Sequence, residues 1–172
     1  MKHLSISNVQ LRTCSAKETQ QVGKQISQLL TGGEIIALIG ELGSGKTVFV
    51  RGLAEELGIC ETVHSPSFTI VNEYHGRLTL YHLDFYRLQS EEEVWNLGWQ
   101  DYLNNNGVLV IEWADRFPNV LPQERIEIRF TTDPENENKR IITFNPVGEK
   151  YIIQLREIKN LKRQIQINRL IY

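Results

Sequence analysis

The chain has 172 residues, 41% hydrophobic and 23% charged, with a formal net charge of -2, which suits one globular domain and argues against a surface built to coat nucleic acid. No run approaches the ~18 apolar residues of a membrane span, no apolar leader core follows Met1, and Cys14 and Cys60 form no C-x-x-C pair. A cytoplasmic protein with two unpaired thiols is expected.

Residues 4 to 12, LSISNVQLR, alternate apolar and polar side chains and predict a half-buried strand. Ser15, with Glu18 three residues on, reads as a capping box that opens a helix with the apolar stripe Val22, Ile26, Leu29 and Leu30, stopped by Thr31-Gly32-Gly33. Ile35 to Ile39 is an unbroken apolar run, the form of a strand covered on both faces. It leads into Gly40-Glu41-Leu42-Gly43-Ser44-Gly45-Lys46-Thr47, which fits G-x-x-x-x-G-K-[ST].

That pattern is a phosphate-binding loop. A polyphosphate must be wrapped by backbone N–H groups, so the tight part of the turn has no room for a Cβ, and the amides of Gly43 to Thr47 form the nest at the positive end of the next helix. Lys46 is expected to reach the β- and γ-phosphates, Thr47 to ligate Mg2+, and Val48 to complete the nucleotide-contacting set. The sequence lacks Asn-Lys-x-Asp, because Asn138-Lys139-Arg140-Ile141 has no acid where it is needed, so adenine is the default base and ATP the expected nucleotide.

The helix after the loop should run to Leu57, with Phe49, Val50, Leu53, Ala54 and Leu57 inward and Gly58 closing it. Beyond Ser65-Pro66, the segments SFTIVNEY and RLTLYHLDFY, separated by His75-Gly76, predict a hairpin and therefore an antiparallel pair beside the parallel strands. Ser90 and Glu93 form a second capping box, opening a helix that Gly98 interrupts, with Trp95, Trp99 and Tyr102 expected in the core. Val108 to Ile111 is another buried strand, and RIEIRF and RIITF pair around a polar loop, Thr132 to Lys139. Residues 151 to 172 then carry a charge of +4 against -6 for the rest, with Ile152, Leu155, Ile158, Leu161 and Ile165 at helical spacing. The expected division is a P-loop ATPase domain over 1–150 and a basic helical tail over 151–172. The expected fold is an α/β, P-loop NTPase-like three-layer structure with a mixed, mostly parallel sheet and an antiparallel hairpin.

Two acids complete the site. Glu112 closes the apolar run Val108-Leu109-Val110-Ile111 in the form of a Walker B strand and would hold Mg2+ at the carboxyl end of the sheet. Asp84 stands among apolar and aromatic residues in Tyr81-His82-Leu83-Asp84-Phe85-Tyr86-Arg87-Leu88, where an acid is costly unless paired. It is either a salt-bridge partner of Arg87 or a switch residue that senses Mg2+ or the attacking water. His64, His75 and His82 share no metal-ligand spacing and are assigned no catalysis.

The set GELGSGKT (40 to 47), SPSFT (65 to 69), YHLDFYRL (81 to 88), Glu92-Glu93, GWQDY (98 to 102), Glu112-Trp113 and Leu121-Pro122 closely resembles the TsaE (YjeE) family, small bacterial P-loop ATPases of tRNA threonylcarbamoyladenosine synthesis. The resemblance runs from about Ser15 to Phe144. It implies Mg2+ on Thr47 and Glu112, a switch role for Asp84, and a polar contact from Ser67 where many members carry Thr. It also implies work with two partner proteins of the threonylcarbamoyl-transferase complex, with tRNA met only indirectly. The reading is thus a slow Mg2+-dependent ATPase with Lys46, Asp84 and Glu112 in catalytic roles. Its rivals are a small-molecule or nucleoside kinase and a nucleotide-gated binding module without significant hydrolysis.

Overall fold

Short apolar runs flanked by glycines become the centre of a sheet, because each is too short for a helix and is buried on both faces. In the computed structural model, which describes residues 8–104, 106–152 and 156–160, the strands are β1 (Val9–Thr13), β2 (Ile35–Ile39), β3 (Val71–Tyr74), β4 (Leu80–Asp84), β5 (Val108–Glu112), β6 (Arg125–Asp133) and β7 (Asn136–Val147). Among the described residues they form one seven-stranded sheet in the order β1-β7-β6-β2-β5-β4-β3. Neighbours from β6 to β4 are parallel. Strand β3 lies antiparallel to β4, β7 to β6, and β1 to β7, so five of the seven strands share one direction.

Helices α1 (Ala16–Ser27) and α2 (Lys46–Glu56) cover one face. Helix α3 (Glu91–Asn96) and 3-10 turns at Trp99–Asn104, Ala114–Arg116 and Pro118–Val120 cover the other. The strands alternate accordingly. Leu38, Leu80 and Val110 pack with Phe49 and Leu53, whereas Ala37, Leu83 and Ile111 pack with Val94, Trp99 and Phe117. Each fully buried Leu, Ile or Phe contributes about 1.5–3 kcal/mol. The fold is the three-layer α/β structure that the residue pattern predicts.

Helices α1 and α2 meet at two glycines. A Cβ on Gly23 would lie 2.2 Å from the Phe49 carbonyl, and one on Gly52 would lie 2.0 Å from the Gln20 carbonyl, so backbone packs on backbone here. Both capping boxes form with one shared variation. Ser15 accepts from Glu18 N at 3.1 Å while Cys14 N donates to Glu18 at 2.9 Å, and Ser90 accepts from Glu93 N at 3.2 Å while Gln89 N donates to Glu93 at 2.8 Å. The returning carboxylate thus satisfies the amide before the cap rather than that of the cap itself.

Several boundaries move. The first strand covers Val9–Thr13, and residues 1–7 lie outside the described ones. Helix α1 ends at Ser27, and Leu29 and Leu30 belong to the turn after it. The β3–β4 connection spans 75–79, longer than His75-Gly76, and Arg77 within it donates to the Ser27 and Leu30 carbonyls at the end of α1. Strands β6 and β7 extend through most of 132–139 and turn at Pro134-Glu135, because ladder hydrogen bonds need no apolar side chains. Trp95 is 47% exposed and rests on the buried Trp99 ring; Gly98, at φ 62°, ends the helix between them, so the two indoles do not share one helix face. Residues 149–152 and 156–160 are helical, with Tyr151 and Ile158 buried, whereas Leu155, Leu161 and Ile165 lie outside the described residues.

Candidate functional site

Strand β2 delivers the chain at its carboxyl end into the turn 40–45, and α2 begins at Lys46. Gly40 (φ 149°) and Gly45 (φ 105°) hold conformations that side chains rarely adopt. A Cβ on Gly40 would lie 2.7 Å from the Phe130 carbonyl, and one on Gly45 would lie 3.0 Å from Arg140 Nε. The turn is therefore tight against β6 and β7. Glu41, Leu42 and Gly43 are exposed at its tip, Ser44 is buried, and Thr47 and Val48 are half-buried in the first turn of α2, where helix amides have no intrahelical acceptor.

Lys46 is buried and folds back over the turn, donating to the Gly40 carbonyl at 2.6 Å and the Glu41 carbonyl at 2.9 Å. Its ammonium also lies 4.0 Å from the centroid of the Trp113 ring. Burial pushes its pKa below the ordinary lysine value, and the carboxylates of Glu112, Asp84, Asp115 and Glu41 oppose that shift. The site concentrates acids around one cation.

Parallel pairing of β4 with β5 sets Asp84 directly beside Glu112. Both are buried and bound differently. Glu112 Oε1 accepts from the Thr47 hydroxyl at 2.8 Å and hydrogen bonds with His82 Nε2 at 2.9 Å. Asp84 Oδ2 accepts from the Ser65 and Ser67 hydroxyls, each at 2.7 Å, and Oδ1 accepts from Tyr86 N at 2.9 Å. Asp84 thereby ties loop 64–69 to the end of β4. Among the described residues Arg87 does not pair with it; its guanidinium lies 3.9 Å from the ring centroid of Phe68, which is 82% exposed.

Lys46, Thr47, Glu112, Asp84 and Ser67 thus come together at the carboxyl ends of β2, β5 and β4. His64 is exposed, and its backbone amide donates to the Tyr74 hydroxyl. Four further residues join the site. Ser65 shares Asp84 with Ser67, and His82 shares Glu112 with Thr47. Trp113, at φ 58°, turns its ring onto Lys46 beside Tyr86 at 4.9 Å. Arg140 of β7 donates through Nε to the Ser44 carbonyl at 2.9 Å. A left-handed, non-glycine residue after the Walker-type acid has no signature in composition, and the Ser44–Arg140 contact spans 96 positions.

The donor set suits a hard divalent cation. Because Thr47 places its hydroxyl proton on Glu112, its oxygen lone pairs remain for a metal, and the neighbouring donors are carboxylate oxygens. No group of three or more His, Cys, Asp or Glu forms a metal cage among the described residues. Mg2+ needs none, since it takes one or two protein ligands and completes its shell with water and phosphate oxygens. Among the described residues no helix is long and apolar enough to cross a membrane.

Residues 13–142 match the family model described as threonylcarbamoyl adenosine biosynthesis protein TsaE. A tRNA threonylcarbamoyladenosine biosynthesis protein TsaE of Bacillus subtilis is 41% identical over 148 residues, 86% of this chain and 91% of that protein. One from Treponema pallidum is 46% identical over 114 residues, 66% of this chain and 84% of that protein. The crystal structure of Bacillus subtilis YdiB superposes with a TM-score of 0.78 at 35% identity, covering 92% of this chain and 98% of that one.

Proposed function

This chain belongs to the TsaE family of threonylcarbamoyl adenosine biosynthesis proteins, and on that premise we propose that it is a Mg2+-dependent, slowly hydrolysing ATPase subunit supporting threonylcarbamoyl transfer to the adenosine beside the tRNA anticodon. It acts with two partner proteins of the transferase complex, which carry out the transfer and through which tRNA is met. The observation that carries the reading is the 2.8 Å hydrogen bond from Thr47 to Glu112, since it joins the phosphate loop to the strand-end acid as a metal-nucleotide site requires.

The loop amides from Gly43 to Val48 cradle the phosphates, and Lys46 exchanges the Gly40 and Glu41 carbonyls for phosphate oxygens. Thr47 and Glu112 would hold Mg2+, which would supply positive charge to offset that of the phosphates. Trp113 walls Lys46 from water. Asp84 reports the γ-phosphate through Ser67, whose hydroxyl either stays on Asp84 or turns to the nucleotide, so that loop 64–69 takes one arrangement with ATP and another without it. Arg140 is engaged with the Ser44 and Asn138 carbonyls, and turnover by the isolated chain stays below the roughly 1–100 per second of kinases.

Phosphate release is measured from purified chain with ATP and Mg2+, alone and with the partner proteins, beside pull-down of those partners with and without ATP. Slow release that the partners stimulate, and that Asp84→Asn removes, is expected. Rapid hydrolysis by the chain alone, a phosphorylated metabolite in place of free phosphate, or no association in either state would overturn the reading.

A further inference from the structure

His82 is wholly buried in β4, and Nδ1 has no hydrogen-bond partner among the described residues. A half-satisfied imidazole is costly in a core, so its one bond requires an account. That bond is to Glu112 Oε1 at 2.9 Å, on the oxygen that also accepts from Thr47 at 2.8 Å. Hydrogen at Nδ1 would be buried without an acceptor, so the proton sits on Nε2 and the ring donates. Among the described residues no hydrogen bond falls on Oε2; both bonds fall on Oε1.

We propose that His82 is the positioning residue of the cation site: with Thr47 it pins Glu112 through Oε1 and leaves Oε2 to face Mg2+ or a Mg2+-bound water. The proposal rests on the reading of Thr47 and Glu112 as the metal position. Two donors on one oxygen fix the rotation of the carboxylate, as ligand-orienting partners do in other metal sites. The partner from the loop is a hydroxyl at the start of α2, and the partner from the sheet is a ring fixed by the core. His82 therefore keeps Glu112 in place when Thr47 shifts its oxygen toward the cation.

Binding of Mn2+, used as a spin probe for Mg2+, is measured on the full chain with adenylyl imidodiphosphate, beside binding of the same nucleotide in excess EDTA. The variants are His82→Leu, His82→Gln and Glu112→Gln, each checked for folding by its thermal transition. His82→Leu is expected to weaken Mn2+ by about 10-fold or more and to leave metal-free nucleotide binding unchanged. His82→Gln, which retains a donor, recovers most of the loss. His82→Met replaces His82→Leu if the latter does not fold. Unchanged Mn2+ affinity in folded His82→Leu, or an equal loss of metal-free nucleotide binding, would overturn the positioning role while a loss in Glu112→Gln kept the metal reading intact. Unchanged Mn2+ affinity in Glu112→Gln would overturn the metal reading and this proposal with it.

Discussion

At the carboxyl end of β2, β4 and β5 the buried positions hold Lys46, His82, Asp84 and Glu112; across the wing formed by β6, β7 and β1 they hold Val9, Leu11, Ile126, Ile128, Phe130, Ile142 and Phe144. The wing gains stability from apolar area, and its strands alternate inward and outward residues as a half-exposed sheet does. The centre buries charges that would be costly alone and offsets the cost by giving each a partner. One region gains its stability from apolar contact, and the other concentrates buried polar groups at the proposed nucleotide site. They touch where Arg140 grips the Ser44 carbonyl.

The largest effect should come from the wing. Phe144→Ala removes a fully buried ring and is expected to cost about 3–5 kcal/mol in denaturant unfolding, with ATP affinity of the folded fraction unchanged. Lost ATP binding at unchanged stability would erase the distinction between the two regions.

Lys46→Met should do the reverse. Loss of charge-assisted bonds of about 1.5–3 kcal/mol weakens ATP binding roughly 10- to 100-fold in a titration, while unfolding without nucleotide becomes no easier. The sign follows from burial. Since the folded pKa is lowered, the unfolded chain holds the proton more tightly between the lowered value and the ordinary one, and parental stability rises with pH across that window. The variant lacks this rise.

Arg140→Ala tests the tie between the regions and should cost about 1 kcal/mol in ATP affinity, close to fivefold, with a similarly small loss of stability. An effect confined to stability would show that the wing does not brace the loop.

The smallest effect concerns Tyr151, whose buried phenol accepts from Ile35 N at 2.6 Å and whose pKa burial pushes up to about 12. Its contribution is full below the ordinary value of 10.0 and is lost as pH rises through about 12, because the unfolded chain releases that proton first. Unfolding measured from pH 9 to 12 should therefore fall less steeply for Tyr151→Phe than for the parent; equal slopes would refute this.

Much of the centre was legible because its signals are contiguous: a glycine pattern at fixed spacing, an apolar run ending in Glu112, and one acid in an aromatic stretch at Asp84. Order along the chain could not show that Glu112 shares one oxygen between Thr47 and His82, since parallel pairing of β4 with β5 creates that contact. His82 shows how a search for ligand spacing passes over a residue whose partner is the proposed ligand. Trp95 differs for another reason: the helix break at Gly98 turns Trp95 and Trp99 out of one helical face, which residue type alone does not show. The polar stretch 132–139 suggests a longer loop than the structure has, since the strands run to Asp133 and resume at Asn136 with a register shift after Thr132.

The Gly23–Gly52 crossing divides fixed parts from movable ones. Backbone rests on backbone where α1 and α2 cross, and beside the crossing Gln20 and Lys24 bond Glu55 while Gln28 bonds Glu56, so sliding one helix past the other would break these bonds as well as the close fit at the two glycines. The proposed phosphate nest at the start of α2 is therefore mounted on a stator. Loop 64–69, by contrast, is fastened at Asp84 by two hydroxyls, so if the proposed site rearranges on taking up nucleotide, a reporter on that loop is expected to register the change while one on α1 stays silent.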